Sequence, residues 1–202
     1  CWLLSWQHAP YHHTKKCCQS LEMNVFGYNI HHINTPDRFY NSLELRQSID
    51  QLYQSSVVRS TERAPEQQGE GYSTFDLPNE TVYSLAGIYP LLDYIGFEIQ
   101  SYHGAYHVTY DRVWTNKIYQ GCYGSIHNHQ RDDLDGVAIF YYQVPPNSSN
   151  LLIHSDNNYD PHYTINVQQG DLILHCDQVL HSVSPHNNSI PRICFILEYQ
   201  LS

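Results

Sequence analysis

The sequence predicts a mainly β protein with α support, namely a double-stranded β-helix (jelly roll) preceded by two or so N-terminal helices. Beyond residue 100, short runs rich in tyrosine, valine and isoleucine are divided by clusters of glycine, proline and asparagine. About seven or eight such runs at near-regular spacing are typical of a sandwich or barrel rather than of a parallel α/β sheet. Before residue 100, apolar residues instead recur at helical spacing.

Two helices are predicted in the first half of the chain. The first spans about residues 35–55, because Thr35 is a good N-cap and the apolar residues that follow recur every three or four positions. The second begins at Asn79, and Pro90 is expected to kink it. Residues 60–73, rich in glycine, proline and glutamine, are predicted to form a polar loop between the two helices.

Eight strands are predicted in the second half, each bounded by turn-forming residues. They lie at about residues 106–116, 122–128, 136–144, 150–154, 163–167, 171–175, 179–184 and 192–199. The length of 202 residues is ample for one sizeable core.

The chain is predicted to form one domain. Because its only methionine is Met23, residues 1–22 are interpreted as upstream read-through or a disordered tail, and residues 23–202 as the folded unit. Within that unit, residues 23–100 are expected to be helical support and residues 101–202 the jelly-roll core.

Composition restricts the class of partner. Ten lysines and arginines stand against 20 aspartates and glutamates, and no basic stretch is longer than Lys15-Lys16, so nucleic acid is not an expected partner. No run approaches the roughly 20 apolar residues of a membrane span, so no membrane association is expected. The six cysteines show neither a CxxC motif nor a regular spacing, which favours reduced thiols and a cytoplasmic location.

Three histidines form the candidate metal site. On a strand, residues i and i+2 face the same way, so His127 and His129 can share one ion. His181 stands at the head of a later strand, far enough along the chain to approach from the opposite sheet. Two interpretations of His129 stay open, because it could bind the metal directly or orient another ligand while an aspartate nearby or a water completes the site. The aspartates concerned are Asp132, Asp133 and Asp135.

The pattern between Val113 and Glu198 resembles the Fe(II)/2-oxoglutarate-dependent oxygenases, most closely the small phage-associated and bacterial members related to prolyl hydroxylases. The residues that carry the resemblance are Trp114-x-Asn116, Gly121-x-Tyr123, His127-x-His129, Gly136-Val137, Gly170-x-Leu172, His181-x-Val183-x-Pro185 and Arg192. Many members of the wider superfamily have H-x-D where this chain has H-x-H. A literal H-x-D at His154-Ser-Asp156 lies too close to His181 for the intervening strands and is interpreted as a decoy.

The resemblance implies a function and a set of roles. His127 and His181, with His129 as the expected third ligand, would hold Fe(II), and the guanidinium of Arg192 would hold the distal carboxylate of 2-oxoglutarate. Asn116 and Tyr123 would shape the cosubstrate site. The expected reaction consumes O2, with ascorbate as a supporting reductant, and hydroxylates a peptide, protein or small-molecule substrate with release of succinate and CO2. The oligomeric state is left open.

Three departures and two competing functions accompany this interpretation. Besides His129, the chain has His175-Cys176 where relatives favour Phe-Pro, and Cys194 where a hydroxyl commonly assists the cosubstrate. A cupin-like metal enzyme of another class would also present H-x-H and a late histidine, but it would not need Arg192. The other alternative is a jelly-roll binding module without catalysis.

Overall fold

The computed structural model describes residues 20–54, 58–59, 67–69, 71–155 and 162–202. Most of the segment interpreted as a tail, much of the polar loop at 60–73, and Asp156 of the H-x-D decoy therefore lie outside the described residues. In the ranges given, no helix combines the length and the apolar content that crossing a bilayer requires.

Strands dominate the described residues. One helix lies between the second and third strands, and two helices lie between the fifth and sixth strands. In chain order the elements are β1 (Ser20–Val25), β2 (Tyr28–Asn34), α1 (Leu43–Gln54), β3 (Val58–Arg59), β4 (Gln67–Gln68), β5 (Gly71–Ser73), α2 (Asn79–Tyr83), α3 (Tyr89–His103), β6 (Val108–Ile118), β7 (Tyr123–His127), β8 (Gly136–Gln143), β9 (Leu151–Ile153), β10 (Tyr163–Ile165), β11 (Asp171–His175), β12 (His181–Val183) and β13 (Arg192–Leu201). A short 3-10 turn at Asp37–Phe39 precedes α1.

The strands form two antiparallel sheets that pack face to face. The major sheet has the order β1-β2-β11-β8-β13-β6-β5-β3, and the minor sheet has the order β10-β9-β12-β7-β4. Alternate residues of β8 point to opposite sides: Phe140 belongs to the core shared with the helices, whereas Ile139 and Tyr141 belong to the core shared with the minor sheet. The major sheet is therefore covered on both faces, and the space between the sheets is the interior of a jelly roll.

The predicted strands of the second half are confirmed. All eight are present, and β11 has the same bounds as its prediction. The sequence predicted them well because turn residues separate short runs with a period of two, and this pattern does not depend on tertiary contacts.

The first strands were not predicted. Residues 23–100 were expected to give helical support, but Ser20–Val25 and Tyr28–Asn34 form a hairpin, and β2 pairs with β11. The reversal needs only two residues, Phe26 and Gly27, both with positive φ (54° and 90°), as in a type I′ turn. The helices thus lie after this hairpin and before the strands of the second half of the chain.

The first predicted helix begins later than expected, and the second, which begins at Asn79 as predicted, is divided into α2 and α3. Thr35 is not a helix cap, because its backbone N–H donates to Gly170 and thereby continues the pairing of β2; the cap of α1 is Ser42, whose Oγ accepts from the Leu45 N–H at 3.0 Å. Pro90 does not kink a helix but stands in the first turn of α3, where a missing N–H costs nothing.

Candidate metal centre

Two strands of the minor sheet bring His127 and His181 together. His127 is the last residue of β7, His181 is the first of β12, and the two are register partners with ring centroids 4.4 Å apart. His129 follows two residues after β7, and its ring centroid lies 5.3 Å from each of the other two. One ligand nitrogen of each ring lies within 4.8 Å of the others, so the three predicted histidines surround a common point.

Hydrogen bonds at Nδ1 fix the tautomer of each ring. The Nδ1–H of His127 donates to the Ser125 carbonyl at 2.8 Å, and that of His181 donates to the Val179 carbonyl at 3.0 Å. The Nδ1 of His129 bonds to a carboxylate oxygen of Glu198 at 2.8 Å. Because these acceptors can only accept, each Nδ1 carries the proton and each Nε2 carries the lone pair that a metal needs.

Burial favours the neutral form of His181. The pKa of His181 lies well below its ordinary value because of desolvation, and neighbouring His127 and His175 lower it further. An unprotonated imidazole is the form that binds a metal ion. His175 is a fourth histidine beside the cluster, with its ring centroid 5.1 Å from that of His181, and burial lowers its pKa to about 4.

Arg192 lies inside the same cavity as the three histidines. The cavity measures about 380 Å³, and the arginine, at the start of β13, is only 3% exposed. Its Nη1–H donates to the Ser149 Oγ at 2.6 Å, and its guanidinium carbon lies 5.0 Å from the ring centroid of Tyr141. No carboxylate of the described residues pairs with it. A buried cation without a counterion is costly, so the cavity is suited to an anion.

Polar atoms without partners in the cavity wall also indicate that the cavity is suited to an anionic ligand. Among the described residues, Asn116 Oδ1, Tyr141 Oη and Arg192 Nε are buried without a hydrogen-bond partner, and all three residues line the cavity. Buried polar groups are normally paired, so these atoms fit a ligand that carries carboxylate oxygens and water. Tyr123, the other predicted cosubstrate residue, also lines the cavity but is 43% exposed.

Tyr141 and Glu198 were missed as site residues. Tyr141 was given no role in the predicted site, yet it faces the cavity together with Ile139, two positions earlier on β8. Glu198 faces the cavity because β13 turns every second residue inward from Arg192 onward. The signal for Glu198 was therefore present in the spacing once Arg192 had been placed inside.

The loop after His127 holds the backbone of His129 in place and keeps the three candidate aspartates out of the cavity. The His129 N–H donates to the Asp177 carbonyl at 2.9 Å, and the Arg131 N–H donates to the Asp177 carboxylate at 3.3 Å. Asp132, Asp133 and Asp135 do not line the cavity. Instead, Asp133 lies 3.5 Å from the Arg131 guanidinium and Asp135 accepts the Leu201 N–H at 2.7 Å. In the described part of the chain, the three histidines are the only group placed to hold a metal ion.

His154, the described histidine of the decoy motif, does not contribute to this cluster. His154 Nε2 lies 2.7 Å from the Ser182 hydroxyl, and it lines neither the cavity nor the histidine group.

Comparison with known proteins finds similarity in structure but not in sequence. No protein-family model matches the sequence, and no curated protein is similar to it. The similar solved structures are consistently 2-oxoglutarate–Fe(II) oxygenases, with prolyl hydroxylases among them.

Three of these structures illustrate the range. A prolyl hydroxylase from Trichoplax adhaerens, in complex with a hypoxia inducible factor peptide fragment, has a TM-score of 0.60 and 16% identity, over 85% of this chain and 83% of that chain. The collagen prolyl hydroxylase of Paramecium Bursaria Chlorella virus-1, in complex with 2-oxoglutarate, has a TM-score of 0.58 and 12% identity, over 86% and 96%. HygX from Streptomyces hygroscopicus, with nickel, 2-oxoglutarate and hygromycin B bound, has a TM-score of 0.58 and 13% identity, over 87% and 83%. The chain therefore has the fold of these oxygenases.

Proposed function

We propose that the chain is an Fe(II)- and 2-oxoglutarate-dependent oxygenase that hydroxylates a peptidyl or small-molecule substrate. One observation carries the proposal: three imidazoles surround a point in the same cavity in which an arginine lies buried without a carboxylate partner among the described residues. When bound, Fe(II) would mediate the reduction of O2, with electrons supplied equally by 2-oxoglutarate, which would leave as succinate and CO2, and by the substrate, whose C–H bond would become C–OH.

The chain's own residues would bind and orient these groups. The Nε2 atoms of His127, His129 and His181 would hold Fe(II), since their Nδ1 atoms already donate hydrogen bonds. The guanidinium of Arg192 would bind the distal carboxylate of 2-oxoglutarate, a planar and bidentate partner for its fork. The Tyr141 hydroxyl, which lacks a partner among the described residues, would donate to the same ligand.

The cavity walls would protect the reaction from water. Ile139 and Ile196 of the major sheet and Leu151 of the minor sheet line the cavity, so apolar side chains flank the proposed site on both sides. A water-excluded site strengthens the electrostatic contacts inside it and limits side reactions of an oxidising centre. The described cysteines Cys122, Cys176 and Cys194 are free thiols, which supports the proposed reducing, cytoplasmic location.

Both substrate classes have support. The Trichoplax relative was solved with a peptide fragment and HygX with hygromycin B, and each shares this fold. The cupin-like alternative accounts for the three histidines but gives no role to buried Arg192. A binding module without catalysis would use the same residues and is separated from the oxygenase by turnover.

The test is formation of succinate from 2-oxoglutarate in the presence of Fe(II), O2 and ascorbate. We expect the wild-type protein to form succinate and His127→Ala and His181→Ala to lose this activity. His107→Ala, a change at an exposed histidine outside the cavity, should retain it. Thermal unfolding would confirm that each variant is folded.

Two results would contradict the proposal. Succinate formation that survives in folded His127→Ala and His181→Ala would exclude the histidine site. Wild-type protein that binds Fe(II) and 2-oxoglutarate, seen as a cosubstrate-dependent absorption band, but forms no succinate with a panel of peptides and small molecules would be a binding module.

A further inference from the structure

We propose that Glu198 is a positioning residue of the metal centre. Through the ring of His129, it would supply the negative charge that a ligand carboxylate supplies in sites with two histidines and one carboxylate. This inference rests on the proposed three-histidine metal site, and it adds a residue that acts on the metal without touching it.

The three histidines alone leave a bound dication without a compensating charge. Each ring is fixed with its proton on Nδ1, so each would bind as a neutral ligand. The cavity also contains buried Arg192, which adds a positive charge. Glu198 is the only acidic residue that lines the cavity in the ranges that the structure describes. Charges in such an interior interact strongly because the effective dielectric constant is low.

Glu198 itself has too few partners for a buried carboxylate. It is 5% exposed, its Oε1 accepts one hydrogen bond from His129 at 2.8 Å, and its Oε2 has no hydrogen-bond partner among the described residues. The nearest cation is Arg131, whose Nη1 lies 3.5 Å from Oε2 and whose Nη2 already donates to Asp111 at 2.6 Å. A buried carboxylate is costly unless it is well paired. A dication on the far side of the His129 ring would provide the missing compensation.

The hydrogen-bond pattern assigns this role to one ring of the three. His127 and His181 donate to the neutral backbone carbonyls of Ser125 and Val179, whereas His129 donates to a carboxylate. A carboxylate behind a ligating histidine fixes its tautomer and makes its other nitrogen more basic. His129 occupies the position at which the wider superfamily has its ligand aspartate. The negative charge of a ligand aspartate would thus be replaced by that of Glu198, which would be separated from the metal by the imidazole ring of His129.

Metal affinity is the first test, with Co(II) as an air-stable probe and no cosubstrate present. We expect Glu198→Gln and Glu198→Ala to weaken Co(II) binding by about 10- to 100-fold, the range typical for removal of such a partner. The matched control is Asp171→Asn, because Asp171 is also a buried carboxylate beside a histidine (Oδ1 to His32 Nε2, 3.1 Å) but does not line the cavity. The control should bind Co(II) as the wild type does.

The second test is the midpoint potential of bound iron, measured at saturating metal so that weaker binding does not matter. Loss of a negative charge near the metal destabilises Fe(III) relative to Fe(II), so Glu198→Gln should raise the potential. A residue with a purely structural role would not move the potential in this direction.

The outcomes separate this inference from the proposed function. Wild-type affinity in Glu198→Ala, or an unchanged potential in Glu198→Gln, would overturn the role of Glu198 while leaving the three-histidine site intact. Equal weakening in Asp171→Asn would also overturn it, because the effect would then not be specific to the cavity. Wild-type protein that binds no Co(II) would instead refute the metal site itself.

Discussion

His181 and His127 face each other as register partners on neighbouring antiparallel strands, β12 and β7. Their rings are therefore positioned by the backbone pairing of the minor sheet, and no loop conformation has to be fixed to bring them together. Across a shift in register, two residues along β12 and three along β7, the strands are paired again at Val183 and Gly124. The distance between the two strands at this second pair should therefore affect how tightly the proposed metal centre binds its ion.

Gly124→Ala should weaken metal binding. A Cβ at this position would lie 3.1 Å from the Val183 Cβ, closer than normal contact, so the strands would have to shift. Overpacking of this kind typically costs about 1–3 kcal/mol of stability. We expect a lower melting temperature and weaker Co(II) binding. Ser125→Ala, the next position on the same strand, is the control and should change neither; wild-type Co(II) affinity in Gly124→Ala would show that the spacing at this pair does not matter.

Arg192→Lys should reduce the affinity for 2-oxoglutarate by at least about tenfold while leaving Co(II) affinity unchanged. Lysine keeps the charge but cannot present the planar fork that binds a carboxylate at two points. Isothermal titration with each ligand would separate the two affinities, and Arg46→Lys, at an exposed position of α1, is the control. If Arg192→Lys binds 2-oxoglutarate as tightly as the wild type, the proposed carboxylate contact is wrong.

Tyr141→Phe should weaken the binding of 2-oxoglutarate without lowering the stability of the ligand-free protein. The hydroxyl is buried without a hydrogen-bond partner among the described residues, so its removal should leave the unfolding free energy of the ligand-free protein unchanged or slightly higher. If the hydroxyl donates to 2-oxoglutarate, its loss should cost about 1.5–3 kcal/mol of binding, as for hydrogen bonds to charged groups. Urea unfolding and 2-oxoglutarate titration would measure the two effects. A loss of stability without a loss of affinity would assign the hydroxyl a structural role instead.

His175 should make the metal-free protein less stable at acidic pH. Burial lowers its pKa from 6.5 to about 4, and His129 and His127 contribute to the same direction. Between these values the unfolded chain binds a proton that the folded chain does not, so the contribution of His175 is complete above pH 6.5 and is lost as the pH falls toward 4. The difference corresponds to about 3 kcal/mol.

His175→Phe tests this contribution by urea unfolding at pH 7.5 and pH 5 with a chelator present. The variant should lose less stability than the wild type between the two pH values. Some pH dependence should remain, because the pKa of His181 is also lowered by burial. His107→Ala, at an exposed histidine, should behave like the wild type. An unchanged pH dependence in His175→Phe would show that His175 does not titrate as its burial implies.

The sequence predicted the second half of the fold and the residues that the structure brings together in the cavity. Turn-forming residues and period-two alternation define the strands locally, so His127 and His181 need only strand pairing to converge. His129 was expected to face the same way as His127 on one strand, but β7 ends at His127, and His129 reaches the cluster from the segment that follows. The N-terminal hairpin was missed because its strands lack alternation: in β2, Ile30 and Ile33 are both buried, on opposite faces.

The two remaining site residues were missed for different reasons. Tyr141 belongs to β8, which is buried on both faces, so its pattern does not show which side meets the cavity. Glu198 carries a charge that would ordinarily indicate a surface position, although its spacing from Arg192 places it on the inward face of β13. Its carboxylate lies beside the ring of His129 and the guanidinium of Arg131.

The three histidines of the proposed metal centre are held in place in two different ways. Two of the imidazoles belong to paired strands, whereas the third is carried by a connecting segment that is fastened to the backbone of Asp177. The turn between β11 and β12 acts on two of the three histidines, because its Asp177 holds the backbone of His129 and the carbonyl of its Val179 accepts the Nδ1–H of His181. Changes in this turn would therefore alter two positions of the proposed metal centre and spare that of His127, without any change inside the cavity.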